Sequence, residues 1–120
     1  MKKIPALAIA ILVLALAGLA GAAAPTVKKV ETKKVCMINN QVFDKDQIPV
    51  KVEGRTYYGC CEMCKERLAK DAAARAAVDP VTGKKVDKAT AVIAAQADGS
   101  VLYFESDQTL QRYLKGERKK

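Results

Sequence analysis

Residues 57–68 read YYGCCEMCKERL and hold three of the chain's four cysteines: Cys60, Cys61 and Cys64. The fourth, Cys36, lies upstream, and the chain contains no histidine. Cys60 and Cys64 are four apart, so a helix puts both on one face. Cys61 and Cys64 form a CxxC that can converge at a helix start, where the helix dipole favours thiolates. Thiolates are both the metal-binding and the redox-active form. The stretch is therefore open to three chemistries: a metal site, a redox couple, or part of a disulfide framework.

The surroundings set the fold. IPVKVEGRTYYG alternates apolar and polar residues around Glu53-Gly54, which predicts a hairpin of Ile48–Val52 with Arg55–Tyr58. The residues from Cys60 onward are rich in Ala, Glu, Lys and Arg and predict a helix ending near Val78, because Asp79 precedes Pro80. Upstream, VCMINNQVF carries Asn39-Asn40, a tight-turn signal that places Cys36 at a turn. A hairpin folding back would bring that turn beside the helix start, the layout of a treble-clef metal site.

The second half begins with the turn DPVTGKK. ATAVIAAQ and SVLYFE flank Ala97-Asp98-Gly99, a second hairpin signal. A helix then follows, with Ser106 as its N-cap, Leu110, Tyr113 and Leu114 on one face, and Gly116 closing its end. The order turn, hairpin, helix thus occurs twice. A shift of 45 residues aligns Ile48 with Ile93, Gly54 with Gly99 and Tyr58 with Tyr103. We read this as an internal duplication. Cys60 then falls on Glu105, Cys64 on Thr109 and, with a shift of 46, Cys36 on Thr82. The expected fold class is α+β: small treble-clef-like modules, two hairpin-plus-helix repeats packed as a pseudo-duplicate.

The spacing C-x23-C-x3-C of Cys36, Cys60 and Cys64, set in YYGCCEMCKERL, resembles the TRASH domain family, small treble-clef-like modules linked to heavy-metal sensing, trafficking and resistance. The first cysteine gap is slightly longer than is usual there. The second half is similar to the related YHS domain through Asp79, Pro80, Val81, Gly83, Tyr103, Phe104 and Ser106. Thr82 and Glu105 stand where that family has cysteines. Together the resemblances span nearly all of residues 35–115. Carried over by position, they imply Cys36, Cys60 and Cys64 as metal ligands and a single surviving site. Cys61 and Met63 are additional candidate ligands, and Met37 is near enough to offer a thioether. Three thiolates without histidine make a soft site, suited to Cu(I) first and Zn(II) second.

The first residues bound the compartment. MKK, the apolar run IPALAIAILVLALAGLA and the small residues GAAAP form a secretory signal pattern with cleavage expected after Ala22. The expected organisation is a signal peptide over 1–22, a flexible leader over 23–34, a TRASH-like module over 35–78, a YHS-like module without cysteines over 79–116, and a basic tail over 117–120. The expected location is periplasmic or secreted. The net charge of +8 falls to +6 without Lys2 and Lys3. The basic residues are scattered and do not interleave with aromatics, which argues against nucleic acid and leaves at most a weak attraction to an acidic membrane surface.

Two other readings stay open. Four cysteines in a small exported chain also fit two structural disulfides. One pairing contains a strained vicinal Cys60–Cys61 bond; the other two bridge Cys36 to the helix start and close Cys61–Cys64 or Cys60–Cys64. A thiol–disulfide carrier using Cys61-x-x-Cys64 is the third reading. Asp44 and Asp46 lie in a polar turn, and there is no histidine base or nucleophile elbow. A binding protein is expected, not an enzyme: an exported soft-metal chaperone or scavenger whose partners are the ion and a metal-transport or metal-resistance membrane protein.

Overall fold

The computed structural model describes residues 26–118. The signal peptide, the first residues of the leader and the last two of the basic tail lie outside them. The described residues build an α+β fold from several small sheets and two α-helices.

The hairpin at Glu53-Gly54 forms as expected. The first strands are β1 (Lys28–Lys29), β2 (Val35–Cys36), β3 (Gln41–Val42), β4 (Ile48–Val52) and β5 (Arg55–Gly59). β4 and β5 pair antiparallel from Ile48 opposite Gly59 to Val52 opposite Arg55. Both loop residues have left-handed backbone, Glu53 at φ 50° and Gly54 at φ 81°. That loop twists with the strands, and glycine carries the second position without a Cβ penalty. β2 and β3 pair around the Asn39-Asn40 turn, with Asn40 at φ 55°.

Helix α1 (Glu62–Lys70) is shorter than the expected span to Val78. Asp71 leaves helical backbone, and its carboxylate accepts from the Ala73 N–H at 2.9 Å, starting a separate 3-10 turn over Ala72–Arg75. Arg75 Nη1 reaches back to the Leu68 and Ala69 carbonyls at 2.6 and 3.5 Å, satisfying the last turn. Strand β6 (Ala76–Val78) then pairs with β7 (Lys85–Asp87) across the Asp79–Lys84 turn. Tertiary pairing overrides the helix propensity of the alanines.

Strands β8 (Val92–Ala95) and β9 (Val101–Phe104) form the second hairpin, and α2 (Asp107–Leu114) follows. Ser106 caps α2 by accepting from the Thr109 N–H, and Gly116 closes it at φ 99°.

Residues 26–34 are not a free leader. Lys28 and Lys29 of β1 pair with Ala95 and Ala94 of β8, and Val27 is buried against Ala94, Phe104 and Tyr113. The main core joins both halves: Val35, Met37, Val50, Tyr57 and Leu68 pack with Ala91, Ile93, Val101 and Tyr103. Polar contacts cross the same seam. Asp87 accepts from Arg55 Nη1 at 2.6 Å and from the Tyr57 hydroxyl at 2.8 Å. The Val42 N–H donates to the Gly99 carbonyl at 2.9 Å. A second, smaller cluster of Val27, Val81, Ala94, Phe104, Leu110 and Tyr113 belongs to the second half and the β1 segment, while the larger core is shared and ties the halves together.

Candidate metal centre

Three local devices bring the sulfurs together. Cys36 ends β2, and the turn after it closes through the Asn40 N–H to the Cys36 carbonyl at 2.7 Å. The Met37 N–H then donates to the Tyr58 carbonyl at 2.9 Å, pinning that turn to β5. Cys60 follows the last residue of β5, and Cys64 sits in the first turn of α1. Gly59 lets α1 start hard against the strand end. A Cβ there would lie 2.9 Å from Cys64 Cβ and 3.2 Å from the backbone of Cys64 and Lys65.

The resulting geometry is close. Cys36 Sγ is 3.9 Å from Cys64 Sγ, Cys60 Sγ is 3.7 Å from Cys64 Sγ, and all three lie within 4.8 Å of one another. A metal–sulfur bond of about 2.3 Å separates ligand sulfurs by about 3.8 Å in a tetrahedral shell and about 4.0 Å in a trigonal one. The two pairs to Cys64 match those spacings and the third lies within 4.8 Å, so the three sulfurs can close on one ion with small side-chain movement. All four cysteines are free thiols. Their separations exceed by far the roughly 2.05 Å of a disulfide.

Cys36 and Cys64 are buried and Cys60 is exposed, so the cluster opens to solvent on one side. Asn39 frames that opening. Its N–H donates to Cys36 Sγ at 3.5 Å and its Nδ2 to Cys60 Sγ at 3.4 Å. Cys61 is exposed and approaches Cys64 Sγ at 3.5 Å, but stands outside the mutual trio. Met63 is 80% exposed and does not join the sulfurs. Met37 is fully buried and serves the core.

The thiols do not share one acidity. Burial pushes Cys36 up, but hydrogen bonds from the Asn39 and Ile38 backbone outweigh it and hold the thiol below its usual value. The Cys64 N–H and thiol lower Cys61. The hydrogen bond with Cys36, then burial, raises Cys60. Burial, then hydrogen bonds with Cys61 and Cys60, push Cys64 up to about 12. Neighbouring sulfurs therefore resist ionising together, and a cation entering the cluster must displace protons.

The three positions that align with the cysteines in the second half also meet. Thr82 Oγ1 donates to Glu105 Oε2 at 2.7 Å, and Thr109 Oγ1 donates to Asp79 Oδ2 at 2.7 Å. Asp79 is fully buried and also accepts from the N–H groups of Val81, Thr82 and Glu105 at 2.7, 3.3 and 2.8 Å. Burial works against its charge, yet the Glu105 N–H and the Thr109 hydroxyl, with the turn amides, keep its carboxyl below the usual carboxylate range. A hydrogen-bonded carboxylate closes this corner where sulfurs close the other.

The Asn39-Asn40 turn signal is legible in the sequence, whereas the roles of Gly59 and Lys88 at the site emerge only from the fold. Comparison with family models, with curated proteins and with solved structures finds no match for this chain.

Proposed function

We propose that the protein is an exported soft-metal binder, a chaperone or scavenger, with Cys36, Cys60 and Cys64 as its ligands. The observation that carries this reading is the convergence of three sulfurs, from a turn, a strand end and a helix start, at the spacing one ion requires. Cu(I) is the favoured cargo and Zn(II) the second, from the softness of a histidine-free thiolate set. Binding proceeds by ligand exchange: the ion enters at exposed Cys60, displaces thiol protons, and leaves by the same open side to a membrane transport or resistance protein. The role is binding, not catalysis. The signal pattern at the chain start supports export to the periplasm or beyond.

The same reading places the chain beside the TRASH and YHS families as a duplicated treble-clef-like module. The repeated element order supports this, as does helix spacing: Glu62–Lys70 shifted by 45 residues covers α2. The meeting of Thr82, Glu105 and Thr109 around Asp79 supports it independently.

The test is metal content of reduced protein. Wild type should retain one ion per chain, and Cys36→Ser, Cys60→Ser and Cys64→Ser should each lose it. Unchanged content in all three variants would show the ligand assignment to be wrong. The 3.5 Å approach of Cys61 to Cys64 favours a second reading, a thiol–disulfide carrier. Free-thiol counting on protein taken directly from the periplasm separates the two, since a carrier would be found with that pair oxidised and no metal.

A further inference from the structure

Lys88 is only 6% exposed, and it belongs to the half without cysteines. Its Nζ donates to the Met37 carbonyl at 2.7 Å and to Asn40 Oδ1 at 3.1 Å, and it stands 5.2 Å from the centre of the Tyr103 ring. The Tyr103 hydroxyl donates to the same Asn40 oxygen at 2.7 Å. Every partner is neutral, and no carboxylate among the described residues pairs with this ammonium. A buried cation without a counter-charge is costly and calls for a reason. Both hydrogen-bond partners belong to the cysteine turn: Met37 follows Cys36, and Asn40 closes the turn that carries it. Burial holds the Lys88 ammonium below its usual range, and a negative charge on Cys36 works against that burial.

Resting on the metal-binding reading above, we infer that Lys88 is the built-in counter-charge of the thiolate centre and sets its preference among ions by charge. Three thiolates around a monovalent ion leave a residual charge of −2; around a divalent ion they leave −1. The attraction to Lys88 scales with that residue of charge, while the metal-free protein is common to both. Lys88 therefore raises the affinity for a soft monovalent ion relative to a divalent one. The cysteine-free half acquires a role: it places a buried ammonium beside the turn that carries the other half's site.

Two variants test this. Lys88→Gln removes the charge and keeps a donor near Met37 and Asn40. Asn40→Asp leaves the lysine in place and adds an opposing charge, and both existing donors to Oδ1 still find an oxygen. Asp also tolerates the left-handed backbone at this position. Reduced wild type and both variants are titrated with Cu(I) and with Zn(II) against competing chelators, with circular dichroism confirming the fold. The ratio of Cu(I) to Zn(II) affinity should fall on the order of tenfold in each variant, the scale of one unit charge acting through a partly screened interior. A general loss of structure would weaken both ions together and leave the ratio standing. An unchanged ratio in folded Asn40→Asp overturns the inference and leaves the metal site intact. Failure of wild type to bind either ion overturns the metal reading, and the inference with it.

Discussion

Replacing Gly59 by alanine tests how the site is held. The added methyl would lie 2.9 Å from Cys64 Cβ and 3.2 Å from the Cys64 carbonyl carbon and Lys65 nitrogen. Carbon atoms rest at about 3.5–4.0 Å, so the start of α1 must retreat by roughly 0.5–1 Å. None of these neighbours is the free end of a flexible side chain, and overpacking of this kind costs about 1–3 kcal/mol. In a domain this small, each kcal/mol lowers Tm by about 4–8 °C. The retreat shifts Cys64 relative to Cys36 and Cys60, now 3.9 and 3.7 Å distant, and so disturbs the trio. Gly59→Ala should therefore lower the Tm of the metal-free protein and also weaken metal binding. Gly54→Ala is the control. It strains a left-handed turn with no neighbour within 4 Å, so it should cost stability and leave the metal affinity of the folded protein alone. Thermal melts and chelator-competition titrations read both quantities. Metal affinity unchanged in Gly59→Ala, or reduced equally in Gly54→Ala, would refute the claim that close strand–helix contact shapes the site.

Leu68 is fully buried in the core shared by both halves, so Leu68→Ala should cost about 2–5 kcal/mol in denaturant unfolding, and a loss below 1 kcal/mol would mean the halves do not share that core. Asp79 has a carboxyl held below its unfolded value of about 3.9, so the unfolded chain takes up the proton first as pH falls. Its stabilisation is whole above that value and disappears as pH drops through the folded value. Urea midpoints of wild type should accordingly fall more steeply between about pH 5 and pH 2 than those of Asp79→Asn, and parallel curves would contradict the buried-carboxylate account.

Much of the fold was legible because its signals are local. Glu53-Gly54 between alternating strands, Ala97-Asp98-Gly99, and Ser106 before an amphipathic run each act through a few adjacent residues. The end of α1 was not legible. It depends on Arg75 reaching back to Leu68 and on Ala76–Val78 finding Lys85–Asp87, and alanines carry no pattern that distinguishes strand from helix. Nor was the docking of residues 26–34, since Lys28 and Lys29 pair with β8 through backbone atoms and leave their side chains in solvent. At the site, spacing left Cys60–Cys64 and Cys61–Cys64 both open, and the family resemblance implied Cys36, Cys60 and Cys64, whose sulfurs lie within 4.8 Å of one another. The structure leaves Met63 in solvent and Cys61 at the margin. Lys88 gave no sign in the sequence, because a lysine between Asp87 and Ala89 reads as surface. Its burial follows from packing the two halves together.

The central claim is that three sulfurs from separate elements hold one soft ion. X-ray absorption on the reduced, Cu(I)-loaded protein measures the shell directly. The account expects about three sulfurs near 2.3 Å, preserved in Cys61→Ser and reduced in Cys36→Ser. A shell of nitrogen or oxygen, or a sulfur count that drops with Cys61→Ser and not with Cys36→Ser, would contradict it.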